Sequence, residues 1–480
     1  MRSCAVRRVL LPAVAVCLLG GCTGGGLGTV RDGPGLAGLG DPLFPRLGNG
    51  GYDVRHYRLA LDYDPDTGRI EGTAEITARA LRTLGAFHLD LHGLTADGVT
   101  VGGERAATGR SGDELTVRPG TGIPAGAVFR AVVRYSGTPR TITDADGSDE
   151  GWLPTRDGAL ALGEPAGSMA WFPGNHHPSD KAAYDISVTV PRGLKAVSNG
   201  EPARERADGG RTDGEHTDGE HTDGEHTGGG RTTFRWRTAE PMASYLATLA
   251  IGPYRITSSR TPAGLPVITA VDPAVEETLS GRIPEVLAWA ERHFGPYPFS
   301  SIGAIVVPDG VAGYALETQS RPVFPARLLT VRTLVHEIAH QWYGNSVTPR
   351  SWRDIWLNEG FATYAEWMWA AEFESVPVER SFEAAYAERD NWSFAPADPP
   401  SAARISGAPV YGRGAMVLHE VRRAVGDAAF ARILRGWARE HRHGNASTGE
   451  FTAWAERSSG RELDAVWRGW LYGEGRPARH

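Results

Sequence analysis

In the stretch VHEIAHQWYGN, residues 335 to 345, two histidines stand four residues apart with a glutamate beside the first. If the segment is helical, His336 and His340 share one face a turn apart, close enough to hold one cation, and Glu337 lies next along its rim. The same residues could also meet by chance on an ordinary helix. A catalytic zinc ion needs three protein ligands and one open position. Glu359, in WLNEGFATY and 19 residues after His340, is a candidate third ligand, because that interval leaves room for a turn and the start of a second helix. Its bland alternative is a surface glutamate in a first helical turn. The two motifs together favour zinc, one ion per chain, on His336, His340 and Glu359.

The elements that must position these groups are legible as apolar periodicity. EVLAWAERHFG, LTVRTLVHEIAHQWYGN, WLNEGFATYAEWMWAAEF and RGAMVLHEVRRAVG carry apolar residues at three- and four-residue steps and predict helices, with Gly295 and Gly344 at C-caps. SIGAIVVPD reads as a buried strand. Upstream the period is two: Tyr57, Leu59, Leu61 and Tyr63 alternate with polar residues, as do Tyr184, Ile186, Val188 and Val190. The expectation is an α+β multidomain chain, with an antiparallel β domain over 49–255 and a mixed α/β, mostly helical domain over 256–480. Three copies of Thr-Asp-Gly-Glu-His, Thr212 to His226, sit in a flexible insert over 208–230. Glycine at a fixed step in a polar tract reads as a solvated hairpin connection, not a metal site.

At 480 residues, with 22% of them charged and a net charge of −7, the chain is an ordinary globular protein, and nothing points to nucleic acid or to a protein partner. Three arginines precede an apolar run, Val9 to Leu19, in the layout of a signal peptide over 1–21. The ending Leu19-Gly20-Gly21-Cys22 resembles a bacterial lipobox. It implies a lipid anchor on Cys22 and an extracytoplasmic lipoprotein, the alternative being plain secretion. Residues 22–48, rich in Gly and Pro, read as a tether. All three cysteines, Cys4, Cys17 and Cys22, lie in the first 22 residues, which leaves the body without disulfides or thiolate ligands.

HEIAHQWYGN followed by WLNEGFATY resembles the aminopeptidase N and leukotriene hydrolase family, the gluzincins of peptidase family M1, whose signature is HExxH, eighteen residues, then Glu. GYDVRHYRLALDYDPDTGRIEGTAEI, WFPGNHHPSDKAAYDISVTVP, PMASYLATLAIGPY, HFGPYPF and VYGRGAMVL are similar to other family segments. The resemblance implies a thermolysin-like catalytic domain that removes N-terminal residues from peptides with a free amino terminus. Zinc would polarise the peptide carbonyl. Glu337, set off the metal by its neighbours, is placed to take a proton from water and pass it to the leaving amine.

The remaining roles come from the resemblance alone. Tyr411-Gly412-Arg413-Gly414-Ala415 matches a Tyr-x-Lys-Gly-Ala motif with arginine for lysine, which makes Tyr411 the oxyanion donor; by pattern alone it is a core aromatic at a helix start. Tyr314-Ala315-Leu316-Glu317-Thr318 matches a Gly-Ala-Met-Glu-Asn loop, which makes Glu317 an α-ammonium contact, while Tyr314 and Thr318 depart from the motif and leave the side-chain preference open. Leu162-Gly163-Glu164-Pro165 matches the glutamate of a Gln-x-Glu-Pro motif but has leucine for the glutamine, and adds Glu164 as a second contact, its alternative being a turn glutamate. Glu366, two turns beyond Glu359, reads either as support for a ligand or as a solvated charge. Long family members continue into a helical domain that caps the cleft, whereas this sequence runs about 70 residues past Tyr411, so a more open cleft is expected. An endopeptidase or epoxide-type hydrolase on the same zinc, and a non-catalytic surface zinc- or peptide-binding lipoprotein, are the competing readings. Glu317 with Glu164 argues against the first pair, and Glu337 with Tyr411 against the last.

Overall fold

The structure is a computed structural model that describes residues 35–203, 225–227 and 230–478. The signal segment, Cys22, the first part of the tether and most of the Thr-Asp-Gly-Glu-His insert lie outside the described residues. Among the described residues, no helix is long and apolar enough to cross a membrane.

The period-two pattern produces long strands buried on one face. In Tyr52–Asp64 the buried set is Tyr52, Val54, Tyr57, Leu59, Leu61 and Tyr63. The skip between Val54 and Tyr57 is absorbed by a register irregularity between Val54 and His56, where one extra residue lets the alternation resume on the same face. This strand pairs antiparallel with Arg69–Ala80 and parallel with Lys181–Pro191, where the Tyr57 and Tyr184 rings stack at 4.9 Å. Arg231–Ala243, Val128–Gly137 and Thr95–Val101 extend the large sheet, and Glu225–Thr227 pairs with its Arg231–Ala243 strand. A second, five-stranded antiparallel sheet includes Asp149–Pro154, Ala159–Leu162 and Leu249–Gly252, and Glu164 follows directly on the second of these.

The second half opens with strands ahead of its first helix, and the buried strand expected at SIGAIVVPD is Ile302–Val307. Arg255–Arg260, Pro266–Val271, Ile302–Val307 and Val323–Pro325 form a four-stranded mixed sheet. Ile302–Val307 is buried along its whole length, as a strand parallel to both its neighbours must be. Helix α1 (Ile283–Phe294) precedes the two site-bearing helices, α2 (Val331–Ala339) and α3 (Trp356–Phe373). Next come α4 (Val378–Ala387) and α5 (Gly414–Val425). Gly295 caps α1 at φ 98°. Gly344 does not cap α2: the helix ends at Ala339, and the chain winds on in wider turns in which the Asn345, Ser346 and Val347 N–H groups reach back to the carbonyls of His340, Gln341 and Trp342.

Residues 35–48, read from composition as the end of a tether, are built into the body. Leu36–Ala37 pairs with Asn49–Gly50. Asp41 is buried, and its Oδ2 accepts from Ser351 Oγ at 2.7 Å and the Trp352 N–H at 3.0 Å, with His177 Nε2 at 3.3 Å. Burial raises the pKa of this carboxyl, but these bonds outweigh it and hold the group well below the usual range. Phe44 packs on Trp352 at 5.7 Å. Glycine and proline content misled here because it measures local propensity, whereas Asp41 is held by partners about 310 residues away.

One close approach sets the relation of α3 to α5. A Cβ on Gly360 would fall 2.9 Å from the Gly414 carbonyl carbon and 3.0 Å from its Cα, so the two backbones touch. Gly360→Ala must push the helices apart. It is expected to cost about 1–3 kcal/mol, as overpacking does, read as a lower midpoint in thermal denaturation; a variant as stable as the parent would refute the contact.

Candidate metal and active site

α2 starts where Thr330 Oγ1 accepts from the Thr333 N–H at 3.1 Å, and its last turns present His336 and Glu337, with His340 just beyond. α3 follows a short turn anchored by Asp354, whose Oδ1 accepts from the Thr448 N–H and Oγ1, and it carries Glu359 in its first turn. The two helices pack so that Glu359 Oε2 lies 3.1 Å from His336 Nε2 and 3.4 Å from His340 Nε2. One ligand atom from each of the three residues falls within 4.8 Å of the other two.

The outer ring nitrogens decide whether the inner ones can bind a metal. His340 Nδ1 faces the Tyr343 carbonyl at 3.1 Å, which can only accept, so this nitrogen carries the proton. His336 Nδ1 faces Glu366 Oε1 at 2.7 Å. Both Nε2 atoms are thereby turned toward Glu359, and once a metal displaces their protons they present the donor set and tautomers that zinc takes. Glu366, which sequence left between two readings, is the partner that orients His336.

Charge reinforces the fit. Burial works against ionisation of Glu359, yet the two imidazoles hold it down to about 2. Burial likewise opposes a charged His340, but Glu359 and Glu317 pull it up to about 9. Glu337 is raised by burial to about 8, against the pull of His336 and His340, and its Oε2 is buried without a protein partner.

The other candidates converge on the same cavity of about 390 Å³. Tyr411 sits in a π-helical turn, Pro409–Arg413, with its ring stacked 6.3 Å from that of His336. Such widened turns recur at functional sites because they push one side chain out of helical register. Arg413, the departure from lysine, is fully buried: its guanidinium donates to the carbonyls of Phe394, Gly469, Trp470 and Gly473 and lies over the Trp392 ring. A lysine could not reach four carbonyls at once, so Arg413 fastens the turn to the end of the described chain. Glu317, Glu164 and Glu359 each place an oxygen within 4.8 Å of the others, and the buried Glu317 Oε1 has no protein partner. Burial and the other carboxylates raise Glu164. The loop after Glu164 is pinned by Glu150, whose Oε2 accepts from the Ala166 and Gly167 N–H groups.

Of the two loop departures, Tyr314 lines the cavity, while the Thr318 hydroxyl turns away and donates to the Arg321 carbonyl. Asp144, Asp146 and Ser406 also line the cavity, and the Ser406 hydroxyl donates to Asp146. Nothing local in sequence marks these three, because they come from a hairpin and a loop about 260 residues apart. The described lining holds seven carboxylates and no lysine or arginine, a cavity made for cations.

Residues 282–470 match the peptidase family M1 domain. The fold matches the M1 zinc metallopeptidase from Deinococcus radiodurans with a TM-score of 0.81 and 28% identity, over 92% of this chain and 98% of that one. In sequence over residues 282–470, and in fold over most of its length, the chain is similar to peptidase family M1. A mutant of the Deinococcus enzyme bound to a Tyr-Ser-Ala substrate superposes with the same score over 99% of its length, and a two-domain M1 mutant bound to L-arginine with 0.82. Among curated relatives, aminopeptidase N of Streptomyces lividans is 26% identical over 333 residues, 62% of this chain and 36% of that protein. Aminopeptidase B of Mus musculus is 29% identical over 204 residues, 42% of this chain and 28% of that one. The chain thus spans less than half the length of these curated relatives, but nearly all of the matched structures.

In this chain Glu366 is the residue whose removal isolates the orienting bond from the ligands themselves. Glu366→Ala is expected to weaken zinc binding about 10- to 100-fold, measured by chelator competition, with the fold intact by circular dichroism. Unchanged zinc affinity would show that His336 needs no such partner.

Proposed function

We propose that this chain is a zinc-dependent aminopeptidase that hydrolyses the N-terminal peptide bond of peptides with a free amino terminus. The observation that carries the reading is the junction of two cation sites in one cavity: His336, His340 and Glu359 meet within 4.8 Å, and Glu359 meets Glu317 and Glu164 within the same span. A metal centre adjoining a pair of further carboxylates suits a substrate whose scissile carbonyl lies one residue from an ammonium group.

When bound, zinc supplies Lewis acidity at the scissile carbonyl. The chain's own groups do the rest. Glu317 and Glu164 hold the α-ammonium. Glu337, whose Oε2 is buried and unpartnered, takes a proton from the attacking water and returns it to the departing amine. The Tyr411 hydroxyl donates to the oxyanion as charge develops there, in a site where burial and neighbouring carboxylates keep the phenol protonated.

Glu337→Gln is expected to lower kcat by about 10²- to 10⁴-fold with zinc retained, and Tyr411→Phe by about 10²- to 10³-fold, on a panel of aminoacyl fluorogenic substrates. N-acetylated substrates should be cleaved poorly by the parent. Equal cleavage of free and blocked substrates sinks the exopeptidase reading, and full turnover in Glu337→Gln sinks the role of Glu337.

We further propose that the protein is exported and anchored through a lipid on Cys22, which the arginine-led apolar run and the Leu19-Gly20-Gly21-Cys22 ending support. Metabolic labelling with a fatty acid is expected to mark the parent and not Cys22→Ser. Labelling of both, or of neither, would contradict the anchor.

A further inference from the structure

Glu317 lies in a loop, and a loop carboxylate can select only as sharply as the loop is fixed. Two buried amides fix it. Asn345 Nδ2 donates to the Glu317 carbonyl oxygen at 2.6 Å, and Gln341 Nε2 donates to the same oxygen at 3.1 Å. Gln341 Oε1 in turn accepts from the Ser320 N–H at 2.7 Å, so one side chain spans the Glu317–Ser320 turn, donating at its start and accepting at its end. That turn includes a non-glycine residue in the left-handed region, Ser320 at φ 61°, a conformation that persists only where its surroundings impose it. Gln341 and Asn345 are fully buried and do not line the cavity, so neither touches substrate. The segment is braced from the other half of the molecule, where Lys181 Nζ donates to the Asn345 and Ser346 carbonyls at 2.8 and 2.9 Å.

We propose that Gln341 and Asn345 are positioning residues that set the reach of Glu317 to the substrate ammonium, and with it the discrimination between free and blocked N-termini. His336, Glu337 and His340 belong to the same continuous stretch as Gln341 and Asn345. The distance from the reacting carbonyl to the ammonium acceptor is therefore built into one piece of chain, which gauges a single residue. The inference rests on Glu317 being the ammonium acceptor of the proposed aminopeptidase.

The test compares kcat/KM on an aminoacyl fluorogenic substrate and on its N-acetylated form, using the zinc-loaded full chain, for the parent, Gln341→Met, Asn345→Ala and Glu317→Gln. Gln341→Met and Asn345→Ala are each expected to lower the free-to-blocked ratio about tenfold, the scale of a lost buried hydrogen bond. The change should appear as a higher KM for the free amine, with kcat less affected and one zinc per chain retained. A general structural defect would instead depress both substrates alike. Equal losses on the two substrates, or an unchanged ratio, overturn the proposal provided that Glu317→Gln lowers the ratio. If Glu317→Gln itself leaves the ratio untouched, the ammonium reading fails and this inference falls with it. Should Gln341→Met not take up zinc, Asn345→Ala decides, since it deletes one donor to the same carbonyl and lies farther along the chain from His340.

Discussion

Seven carboxylates facing one cavity repel each other, and burial makes the repulsion worse because low polarity screens it poorly. Burial first, and the neighbouring carboxylates after it, raise Glu164, Glu317 and Glu337 above ordinary carboxylate behaviour. Such an arrangement is tolerable only when cations enter it and when the scaffold is too stiff for the charges to drift apart. Much of the structure answers the second condition. The Glu359 carboxylate sits between two imidazoles, each tied back through its other nitrogen to Glu366 or to the Tyr343 carbonyl.

Stiffness comes from both halves sharing the load. One apolar core runs continuously from the large sheet into the helices, joining Tyr57, Phe172 and Tyr245 to Trp352, Trp356 and Phe361. At its boundary the polar contacts are buried and paired: Asp41 on Ser351 and Trp352, Lys181 on the turn after α2, and Tyr245, whose hydroxyl donates to the Gly344 carbonyl. Pairs of this kind stabilise only modestly when made but cost more to leave half-broken. They therefore discourage any slippage between the sheet that carries Glu164 and the helices that carry the metal ligands.

The sequence made the reactive groups legible far better than their supports. His336, His340 and Glu359 declare themselves because helical spacing is rigid and each lies within a turn of a recognisable element boundary. Long strands such as Tyr52–Asp64 announce themselves through their burial alternation. Tyr411, Glu317 and Glu164 needed a family likeness, since each owes its place to contacts with distant segments and has no local signature. Residues 35–48 were misread for the same reason, because nothing near Asp41 in sequence reveals Ser351. Glu366 stood one step from legibility: its position two turns past Glu359 is visible, but the face it shares with His336 depends on how α2 and α3 cross. Gln341 and Asn345 lay in plain view within the metal motif, yet their amides act on a loop that precedes them, which no periodicity encodes.

The meeting of Gly360 and Gly414 carries a consequence for how this site can vary. Most helix pairs are separated by side chains, and a substitution there is absorbed by a different rotamer or a small shift in packing. Where backbone rests on backbone, no rotamers remain to exhaust. The spacing between the helix that bears Glu359 and the turn that bears Tyr411 then behaves like a bond length: it cannot be tuned by gradual repacking, and is either kept or lost in a single replacement. Diversity among chains built this way is confined to the far walls of the cavity, where Tyr314 and the Asp146–Ser406 bridge already stand.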